Sequence, residues 1–197
     1  MTVRIARAVG AGIAAHLEAL AALRIRVFRE FPYLYDGTLE YERRYLARYA
    51  GSPHGVIVLA VDGDAVVGAS TALPAAHHSD EIAPALARGG LDLATVFYFG
   101  ESVLEPAYRG RGLGGVFFAE REQQARAHGY RFAAFCAVER PADHAARPFD
   151  YRPPGGLWQR HGFVRRADLV GEMSWRDRGD IDETAKPMVF WIKELTS

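Results

Sequence analysis

Alternating apolar and polar residues open the chain, and helical periodicity follows them. Residues 3–9 (VRIARAV) alternate as a half-buried strand does. Apolar residues then recur at helical spacing over residues 13–28, and a helical pattern resumes over residues 38–49 after a break at residues 31–37 that contains proline and glycine. The pattern therefore predicts one strand followed by two helices.

The middle of the chain carries a hairpin pattern and a long apolar strand. Two apolar, β-branched runs fill residues 56–73 around the turn sequence DGD at residues 62–64, which favours a β-hairpin. Residues 74–95 are more polar and contain proline and alanine, so they are predicted to form an insertion with a short helix. Residues 96–104 are the next predicted strand.

The second half of the chain indicates one strand–helix–strand unit followed by antiparallel strands. Its predicted elements are a helix at about residues 115–128, a strand at 131–138, a loop at 139–154, a short helix at 155–162 and strands at 169–175 and 187–195. The loop is longer than most connections and is therefore a candidate functional loop. Because hairpin signals predominate and only one βαβ crossover is evident, the sequence predicts an α/β fold with a mixed, mostly antiparallel sheet flanked by helices.

The chain length and charge balance bound the class of protein. With 197 residues, of which 49% are hydrophobic, residues 1–197 are expected to form a single domain. The 24 Lys and Arg residues balance 24 Asp and Glu residues, which removes the bulk electrostatic argument for binding nucleic acid or an anionic membrane surface. We therefore expect a small-molecule partner, and neither a nucleic-acid nor a membrane partner.

Cysteine content and the N-terminal sequence bear on location. Cys136 is the single cysteine, which excludes an intramolecular disulfide and a cysteine zinc site. The start of the chain contains Arg4, Arg7, His16 and Glu18, so it holds no apolar stretch of signal-peptide or membrane-spanning length. These features lead us to expect a soluble protein in the reducing environment of the cytoplasm.

A glycine cluster before the predicted helix permits two interpretations. Gly110, Gly112 and Gly115 match the dinucleotide fingerprint G-x-G-x-x-G, and Glu139 lies at a suitable distance downstream. In a dinucleotide fold, however, the first glycine follows the strand almost directly, and several βαβ units are required. Neither condition holds here, so a dinucleotide-dependent oxidoreductase is the less favoured hypothesis.

The wider sequence LEPAYRGRGLG at residues 104–114 favours a different kind of phosphate site. Successive backbone N–H groups that no Cβ atom obstructs can point at phosphate oxygens at a helix N-terminus, where the helix dipole also favours an anion. Arg109 and Arg111 add positive charge. The alternative is a glycine-rich turn that only joins the strand to the helix.

This sequence resembles the pyrophosphate loop of the GCN5-related N-acetyltransferase (GNAT) superfamily, whose common form is V-x-P-x-Y-R-G-x-G-[IL]-G. The order of predicted elements is also similar to that of the superfamily over nearly the whole chain. Residues 26–37 and 186–191 look like one subgroup of bacterial members whose substrate is unassigned. The resemblance implies the GNAT fold, with a splayed strand pair at the acyl-CoA site, and acetyl-CoA as co-substrate without a metal.

The resemblance also implies which residues bind the co-substrate. Backbone groups of Val103 and Leu104 would hydrogen-bond the pantetheine arm and polarise the acyl carbonyl, which stabilises the developing oxyanion. The pyrophosphate would bind the loop that consists of Arg109, Gly110, Arg111, Gly112, Leu113, Gly114 and Gly115. Acetyl transfer to an amine of a small-molecule or peptide acceptor would be direct, without an acyl-enzyme.

Direct transfer needs a base, because the amine must reach the thioester unprotonated. Glu101 is the candidate, since a carboxylate inside an apolar strand is costly unless it is paired or functional. Its position also matches that of the catalytic glutamate in some members of the superfamily. The alternative is a structural glutamate in a salt bridge with Arg140 or Arg152.

The group that protonates the departing thiolate is less evident. The superfamily usually supplies a tyrosine within F-Y-x-x-x-G-F, but this chain reads LWQRHGF at residues 157–163 and so places Trp158 at the tyrosine position. An indole N–H is a poor acid. Tyr151 in the long loop and Tyr35 are the candidate replacements, and solvent is the third option.

The break between the first two helices is a candidate for the acceptor pocket. Tyr33, Tyr35 and Asp36 lie there, at a place where the superfamily builds part of that pocket. The alternative is that the two aromatic residues only cover the core.

The missing tyrosine keeps a second class of function open. An inactive acyl-CoA sensor or interaction module would keep the fold and lose turnover, although Glu101 argues against it. We expect His77 and His78 in the sequence HHSDE to be solvated surface residues rather than metal ligands, and Cys136 to be a buried core residue. The oligomeric state stays open, with a homodimer as one option.

Overall fold

Seven strands form one sheet in the computed structural model, which describes residues 2–78 and 81–195. The strands are β1 Arg4–Val9, β2 Val56–Asp62, β3 Ala65–Pro74, β4 Val96–Leu104, β5 Phe132–Val138, β6 Val164–Arg176 and β7 Glu183–Glu194. The helices are α1 Leu17–Phe28, α2 Leu39–Ala50, α3 Ile82–Arg88, α4 Leu113–Ala127 and α5 Gly155–Arg160. Short 3-10 segments cover Gly10–His16, Ala75–His77, Leu93–Thr95 and Pro106–Tyr108.

The sheet is mixed and mostly antiparallel. Its strand order is β1-β2-β3-β4-β5-β7-β6. Among the described strands only β4 and β5 pair in parallel, and α4 forms the crossover between them. The predicted fold class is therefore confirmed, and a doubly wound parallel sheet of the dinucleotide-binding kind is not what these strands form.

Strand β2 shows why the sheet carries helices on both faces. Val56 and Val58 pack into a core that includes Phe117 and Phe118 of α4. Ile57, between them, packs into a second core with residues of α1 and α2. Because successive strand residues point to opposite faces, a run that is apolar at every position requires a covered surface on each side.

The parallel pair of strands separates after three residues of pairing on each strand. Val96–Tyr98 of β4 pair with Phe132–Ala134 of β5, and the pairing stops there. On the other side of β4, Ser102 pairs with Ser70 and Phe99 with Ala72, so Gly100 and Glu101 together oppose the single residue Thr71. This β-bulge bends the strand and strengthens its twist. The splayed strand pair predicted for the fold is therefore present, and the bulge lies beside it.

The boundaries of several elements differ from the sequence-based predictions. The helix predicted to begin at residue 13 is instead a 3-10 segment, Gly10–His16, followed by α1 from Leu17. The last two strands are longer than predicted because they pair with each other through Val164–Arg176 and Glu183–Glu194. That pairing holds polar, solvent-facing residues in the strands. A hydrophobic pattern cannot predict that such residues belong to a strand. Within the part of the chain that the structure describes, no helix is both long and apolar enough to cross a membrane.

Candidate active site

The glycine-rich loop lies at the N-terminus of α4 and presents unpaired backbone donors. Gly110 and Gly112 adopt left-handed backbone angles, with φ of 75° and 81°, which other residues rarely adopt. Within residues 2–78 and 81–195, no acceptor lies within hydrogen-bonding range of the backbone N–H groups of Gly110, Arg111, Gly112, Leu113 and Gly114. These donors at the positive end of a helix dipole form an arrangement suited to a phosphate group.

The two arginine side chains of the loop already have partners within the chain. Arg109 Nη1 lies 2.8 Å from Glu30 Oε2, and its Nε donates to the carbonyl of Leu104 at 3.1 Å. Arg111 Nη2 donates to the carbonyl of Ala107 at 2.8 Å. The backbone therefore supplies most of the free donors for an anion, and the arginines contribute positive charge and loop geometry.

A cavity of about 460 Å³ begins at this loop and follows the gap between β4 and β5. Its wall at the loop includes Leu104, Arg109 and Gly114. Farther in, the wall contains residues of β4, β5, α1 and α2, and it includes Glu101. One continuous space therefore connects the phosphate-type loop with the candidate base.

The predicted pantetheine contacts differ between the two residues at the end of β4. The N–H of Glu105 donates to the carbonyl of Val67 on β3 at 2.9 Å. Because backbone groups alternate in direction along an antiparallel strand, those of Leu104 face the gap and those of Val103 face β3. The side chain of Val103 is fully buried in the core beneath α1 and α2. The geometry thus favours Leu104 over Val103 for contact with a ligand in the gap.

Glu101 is a buried carboxylate with one engaged and one unengaged oxygen. Its Oε2 lies 2.5 Å from Arg24 Nη1 and accepts a hydrogen bond from the hydroxyl of Tyr45 at 3.4 Å. Its Oε1 is buried and has no hydrogen-bond donor among the described residues. A buried carboxylate oxygen without a donor is costly, and a donor that reached it would remove that cost.

The ion-pair partner of Glu101 is not the one expected from the sequence. Arg140 and Arg152 were the candidate partners, but Arg24 of α1 occupies this role. Arg140 instead pairs with Asp177, with Nη1 and Oδ2 2.7 Å apart. Arg140, in the long loop after β5, therefore binds a different carboxylate. The cation that pairs with Glu101 comes from helix α1.

Arg24 joins two buried carboxylates. It contacts Glu42 of α2 as well as Glu101, and both of these acids are almost completely buried. Burial acts to lower the pKa of Arg24, but the carboxylates of Glu101 and Glu42 outweigh it and raise the pKa well above its ordinary value. Arg24 therefore stays charged and holds α1, α2 and β4 together at the site.

A second buried arginine supports the bulge from the opposite face of β4. Arg121 of α4 donates to the carbonyl oxygens of Glu101 and Thr71 at 3.4 Å each, and to Ser102 Oγ at 2.9 Å. Burial lowers the pKa of Arg121 to about 9, so the side chain remains protonated at neutral pH. Its donors fix the backbone conformation that directs Glu101 into the cavity.

The residues predicted for the acceptor pocket separate into two groups. Tyr33 and Tyr35 contribute to the cavity wall, but Asp36 does not. Asp36 Oδ1 lies 2.6 Å from Arg29 Nη1, and its Oδ2 lies 2.9 Å from Arg176 Nη2. The hydrogen bond from Arg29 lowers the pKa of Asp36. Asp36 therefore has a structural role, because it links Arg29 to Arg176. Direct contact with an acceptor remains a prediction for Tyr33, Tyr35 and Asp36.

Tyr151, one of the two candidate acids, and Trp158 also belong to the cavity wall. Tyr151 lines the wall and packs its ring edge-on against Phe31, with centroids 4.7 Å apart. Burial raises the pKa of Tyr151, so its hydroxyl is protonated at neutral pH. Trp158 also lines the wall, and its ring packs against Phe135 and Trp191.

Cys136 lies on β5 in the same wall, and burial raises the pKa of its thiol to about 12. The thiol is therefore not a thiolate nucleophile at neutral pH. It lies 3.1 Å from the hydroxyl of Tyr98. Its predicted burial is confirmed.

The expectation of two solvated histidines is wrong for one of them. His77 is exposed, but the ring of His78 packs edge-on against Tyr98 with centroids 4.4 Å apart and forms part of the cavity wall. The turn after β3 brings His78 inward, which the polar sequence around it does not indicate. The neighbouring residues 79 and 80 of the same motif lie outside the described part of the chain. Among the described residues, no group of three or more His, Cys, Asp or Glu could hold a metal ion.

The half-buried His78 makes the folded state sensitive to acid. Burial lowers the pKa of His78 to about 3, so the imidazole stays neutral in the folded chain while the unfolded chain binds a proton below about pH 6.5. Its contribution to stability is therefore complete above that pH and decreases as pH falls. Between pH 7.5 and 5, the free energy of unfolding of the natural chain should fall by about 2 kcal/mol more than that of His78→Phe, as measured by urea unfolding.

A matched control for this experiment is His77→Phe, because His77 is the adjacent but exposed imidazole. That variant should keep the acid sensitivity of the natural chain. Equal pH slopes for His78→Phe and the natural chain would contradict the assignment.

A protein-family model matches more than half of the chain. The profile of the acetyltransferase (GNAT) family matches residues 18–150, from the start of α1 into the long loop. The matched segment contains the glycine-rich loop, β4 and β5, and it ends just before Tyr151. No curated protein matches the chain significantly.

Solved structures share the fold at low sequence identity. An N-acetyltransferase from Staphylococcus aureus Mu50 aligns with a TM-score of 0.62 and 16% identity, covering 100% of both chains. A ribosomal-protein-alanine N-acetyltransferase from Brucella melitensis aligns with a TM-score of 0.59 and 17% identity, covering 99% of this chain and 100% of the other. The protein yncA from Salmonella typhimurium, solved with its cofactor acetyl-CoA, aligns with a TM-score of 0.60 and 14% identity, covering 100% and 96%.

Proposed function

Because the chain belongs to the acetyltransferase (GNAT) family, we propose that it is an N-acetyltransferase that transfers an acetyl group directly from acetyl-CoA to an amine of a small-molecule or peptide acceptor. The observation that carries this proposal is the single cavity that joins the donor-rich loop at α4 to the buried carboxylate of Glu101. Members of this family are generally acetyl-CoA-dependent, and acetyl-CoA supplies an activated acetyl thioester. The specific reaction is our inference from the site.

The loop and the end of β4 would hold the co-substrate. The N–H groups of Gly110 to Gly114 would bind the pyrophosphate at the helix N-terminus. The N–H of Leu104, which faces the gap, would hydrogen-bond the pantetheine arm or the acyl oxygen. A donor fixed by the sheet at that oxygen stabilises the negative charge that develops during attack.

Glu101 would act as the general base. Its free Oε1 would accept a proton from the acceptor amine, and Arg24 and Tyr45 would hold the other oxygen in place. The backbone contacts from Arg121 would keep the bulge in position. A base within hydrogen-bonding reach of the attacking nitrogen is what direct transfer requires.

The reaction can be tested with two measurements on the purified chain. Calorimetric titration with acetyl-CoA should show binding, and thiol release with a panel of amines should show turnover. Binding without turnover of any amine would favour the alternative function, an acyl-CoA sensor. A cytoplasmic location and a homodimer remain predictions that fractionation and light scattering would test.

Tyr151 is the proposed proton donor to the departing thiolate, because it lines the cavity and its hydroxyl is protonated at neutral pH. A thiolate is a far better leaving group than an amine, since thiols have pKa values near 8.5. Tyr151→Phe should therefore lower kcat by only about threefold, well below the effect of removing an essential acid. Thiol-release kinetics would measure this, with unchanged acetyl-CoA affinity as the control. An unaltered kcat would leave solvent as the donor.

A further inference from the structure

The part of the cavity beyond Glu101 has walls that are mostly aromatic. Phe28, Tyr33 and Trp175 form one continuous wall, with centroid separations of 4.5 Å between the first two and 5.9 Å between the last two. Tyr45 and Tyr98 belong to the same cavity. Burial raises the pKa values of Tyr33, Tyr45 and Tyr98, so these phenols are neutral. The aromatic rings themselves are therefore uncharged, although the Arg24 guanidinium lies over the rings of Phe28 and Tyr45.

The described charged side chains in the cavity wall are already paired or solvated, so they offer no strong binding partner for a second charge on the ligand. Arg24 is paired with Glu101, and Arg109 with Glu30. Arg121 donates to backbone and hydroxyl oxygens. Arg152 is exposed, so water already solvates it. Among the described residues of the cavity wall, Glu101 is the carboxylate with a buried, unsatisfied oxygen, Oε1, which suits one amine group.

The segment of residues 29–36 forms part of the wall at the aromatic end of the cavity. Arg140 donates to the carbonyl oxygens of Pro32 and Tyr33 at 2.9 Å each, and Trp175 Nε1 donates to the same Tyr33 oxygen at 2.9 Å. The N–H of Arg178 donates to the carbonyl of Leu34 at 2.6 Å. A polypeptide acceptor needs an open groove in which the chain can continue past its first residues. Four hydrogen bonds hold this segment in place, so opening such a groove here would require breaking them.

Resting on the proposed function, we infer that the acceptor is a small primary amine with an aromatic ring, in which the amine meets Glu101 and the ring lies among Phe28, Tyr33 and Trp175. The space of about 460 Å³ must also hold the pantetheine arm and the acetyl end of the co-substrate, which restricts the acceptor to a molecule of roughly one ring and a short chain. An aromatic ligand gains stacking and edge-on contacts with such walls that an aliphatic one of equal size lacks.

The chemical step is balanced by groups already named. The neutral amine nitrogen forms a bond to the acetyl carbonyl carbon, and the carbon–sulfur bond breaks. Glu101 takes the proton that leaves the nitrogen. The departing thiolate receives a proton from Tyr151 or solvent, and the products are an N-acetylated aromatic amine and a free thiol.

A matched panel of amines tests the inference through thiol release with saturating acetyl-CoA. The probes are 2-phenylethylamine, 2-cyclohexylethylamine, n-butylamine, 1,4-diaminobutane and a tripeptide with a free N-terminus. We expect kcat/KM for 2-phenylethylamine to exceed that for n-butylamine, the diamine and the tripeptide by at least about tenfold. It should exceed that for the cyclohexyl compound by at least about threefold, because only the aromatic ring gains ring–ring contacts.

Two variants test whether the aromatic wall causes the preference for 2-phenylethylamine. Tyr33→Leu should lower kcat/KM for 2-phenylethylamine by at least about fivefold, with acetyl-CoA affinity unchanged in calorimetry, which also reports an intact fold. Tyr130→Leu is the matched control, because Tyr130 packs against Phe97 and is not part of the cavity wall. It should leave amine preference unaltered.

The outcomes separate this inference from the proposed function. Turnover of the tripeptide or diamine in preference to 2-phenylethylamine would overturn the acceptor class and leave N-acetyltransferase activity standing. Equal turnover of the phenyl and cyclohexyl compounds would overturn the aromatic requirement. Tight acetyl-CoA binding with no turnover of any probe would contradict both.

Discussion

Glu101→Gln is expected to lower turnover at neutral pH by at least about tenfold, with normal acetyl-CoA binding. General-base catalysis contributes about a hundred- to ten-thousand-fold, so tenfold is a conservative fraction of the effect. Glutamine keeps the size of the side chain and most of its hydrogen-bonding capacity, and the substitution therefore tests proton transfer rather than packing. Steady-state thiol release with a working acceptor measures turnover, and calorimetry measures binding.

The pH dependence of this loss distinguishes a base from a structural residue. Below the pKa of the acceptor amine, few molecules arrive neutral, and the base matters most. As pH rises, solvent supplies free amine, so the difference between the natural chain and Glu101→Gln should shrink. Parallel pH profiles for the two proteins would show that Glu101 is structural and that water or the amine itself carries the proton.

Glu42→Gln provides the matched control for the ion pair. Glu42 contacts the same guanidinium of Arg24 and is fully buried, but it is not part of the cavity wall. Both substitutions remove one of the two carboxylates that stabilise Arg24, and both should cost stability, since breaking a buried pair commonly costs about 3–5 kcal/mol. Only Glu101→Gln should make turnover rise more steeply with pH than it does in the natural chain.

The fold could be predicted from the sequence largely because its signals are local. The DGD turn at residues 62–64 and the two apolar runs around it specify a hairpin, and β2 and β3 form it. The strand before the glycine-rich loop is also apolar over its whole length. The ends of β6 and β7 could not be predicted in the same way, because many of their paired positions are polar and solvent-facing.

Only part of the candidate site could be predicted from the sequence, because its residues come from separate elements. The loop and Glu101 lie on one local motif, whereas Arg24, Glu42 and Arg121 reach the site from three different helices. A usable signal did exist: Arg24 follows Leu20 by one helical turn, and Arg121 follows Phe117 in the same way, so each arginine lies on an apolar helix face. A charge at such a position is costly unless it has a buried partner.

Gly112→Val is expected to weaken acetyl-CoA binding by at least about tenfold while leaving the fold intact. Gly112 has φ of 81° at the N-terminus of α4, and an added Cβ would meet no atom of the chain within 4 Å. The effect therefore comes from two other sources. First, a β-branched residue adopts this backbone angle at a cost of roughly 1–2 kcal/mol. Second, its side chain would occupy the space that the phosphate needs in order to reach the free N–H groups. Each hydrogen bond to a charged group contributes about 1.5–3 kcal/mol, so loss of one accounts for a tenfold change.

Gly129→Val separates these two sources. Gly129 follows the other end of α4, has φ of 74° and likewise has no atom within 4 Å of an added Cβ. Its valine variant should therefore carry a similar backbone strain, and the two variants should lose similar stability in urea unfolding. Only Gly112→Val should lose affinity for acetyl-CoA in calorimetry. Equal affinities for both variants and the natural chain would exclude the α4 loop as the pyrophosphate site. Equal losses in both would instead mean that strain transmitted through α4, rather than obstruction at the loop, controls binding.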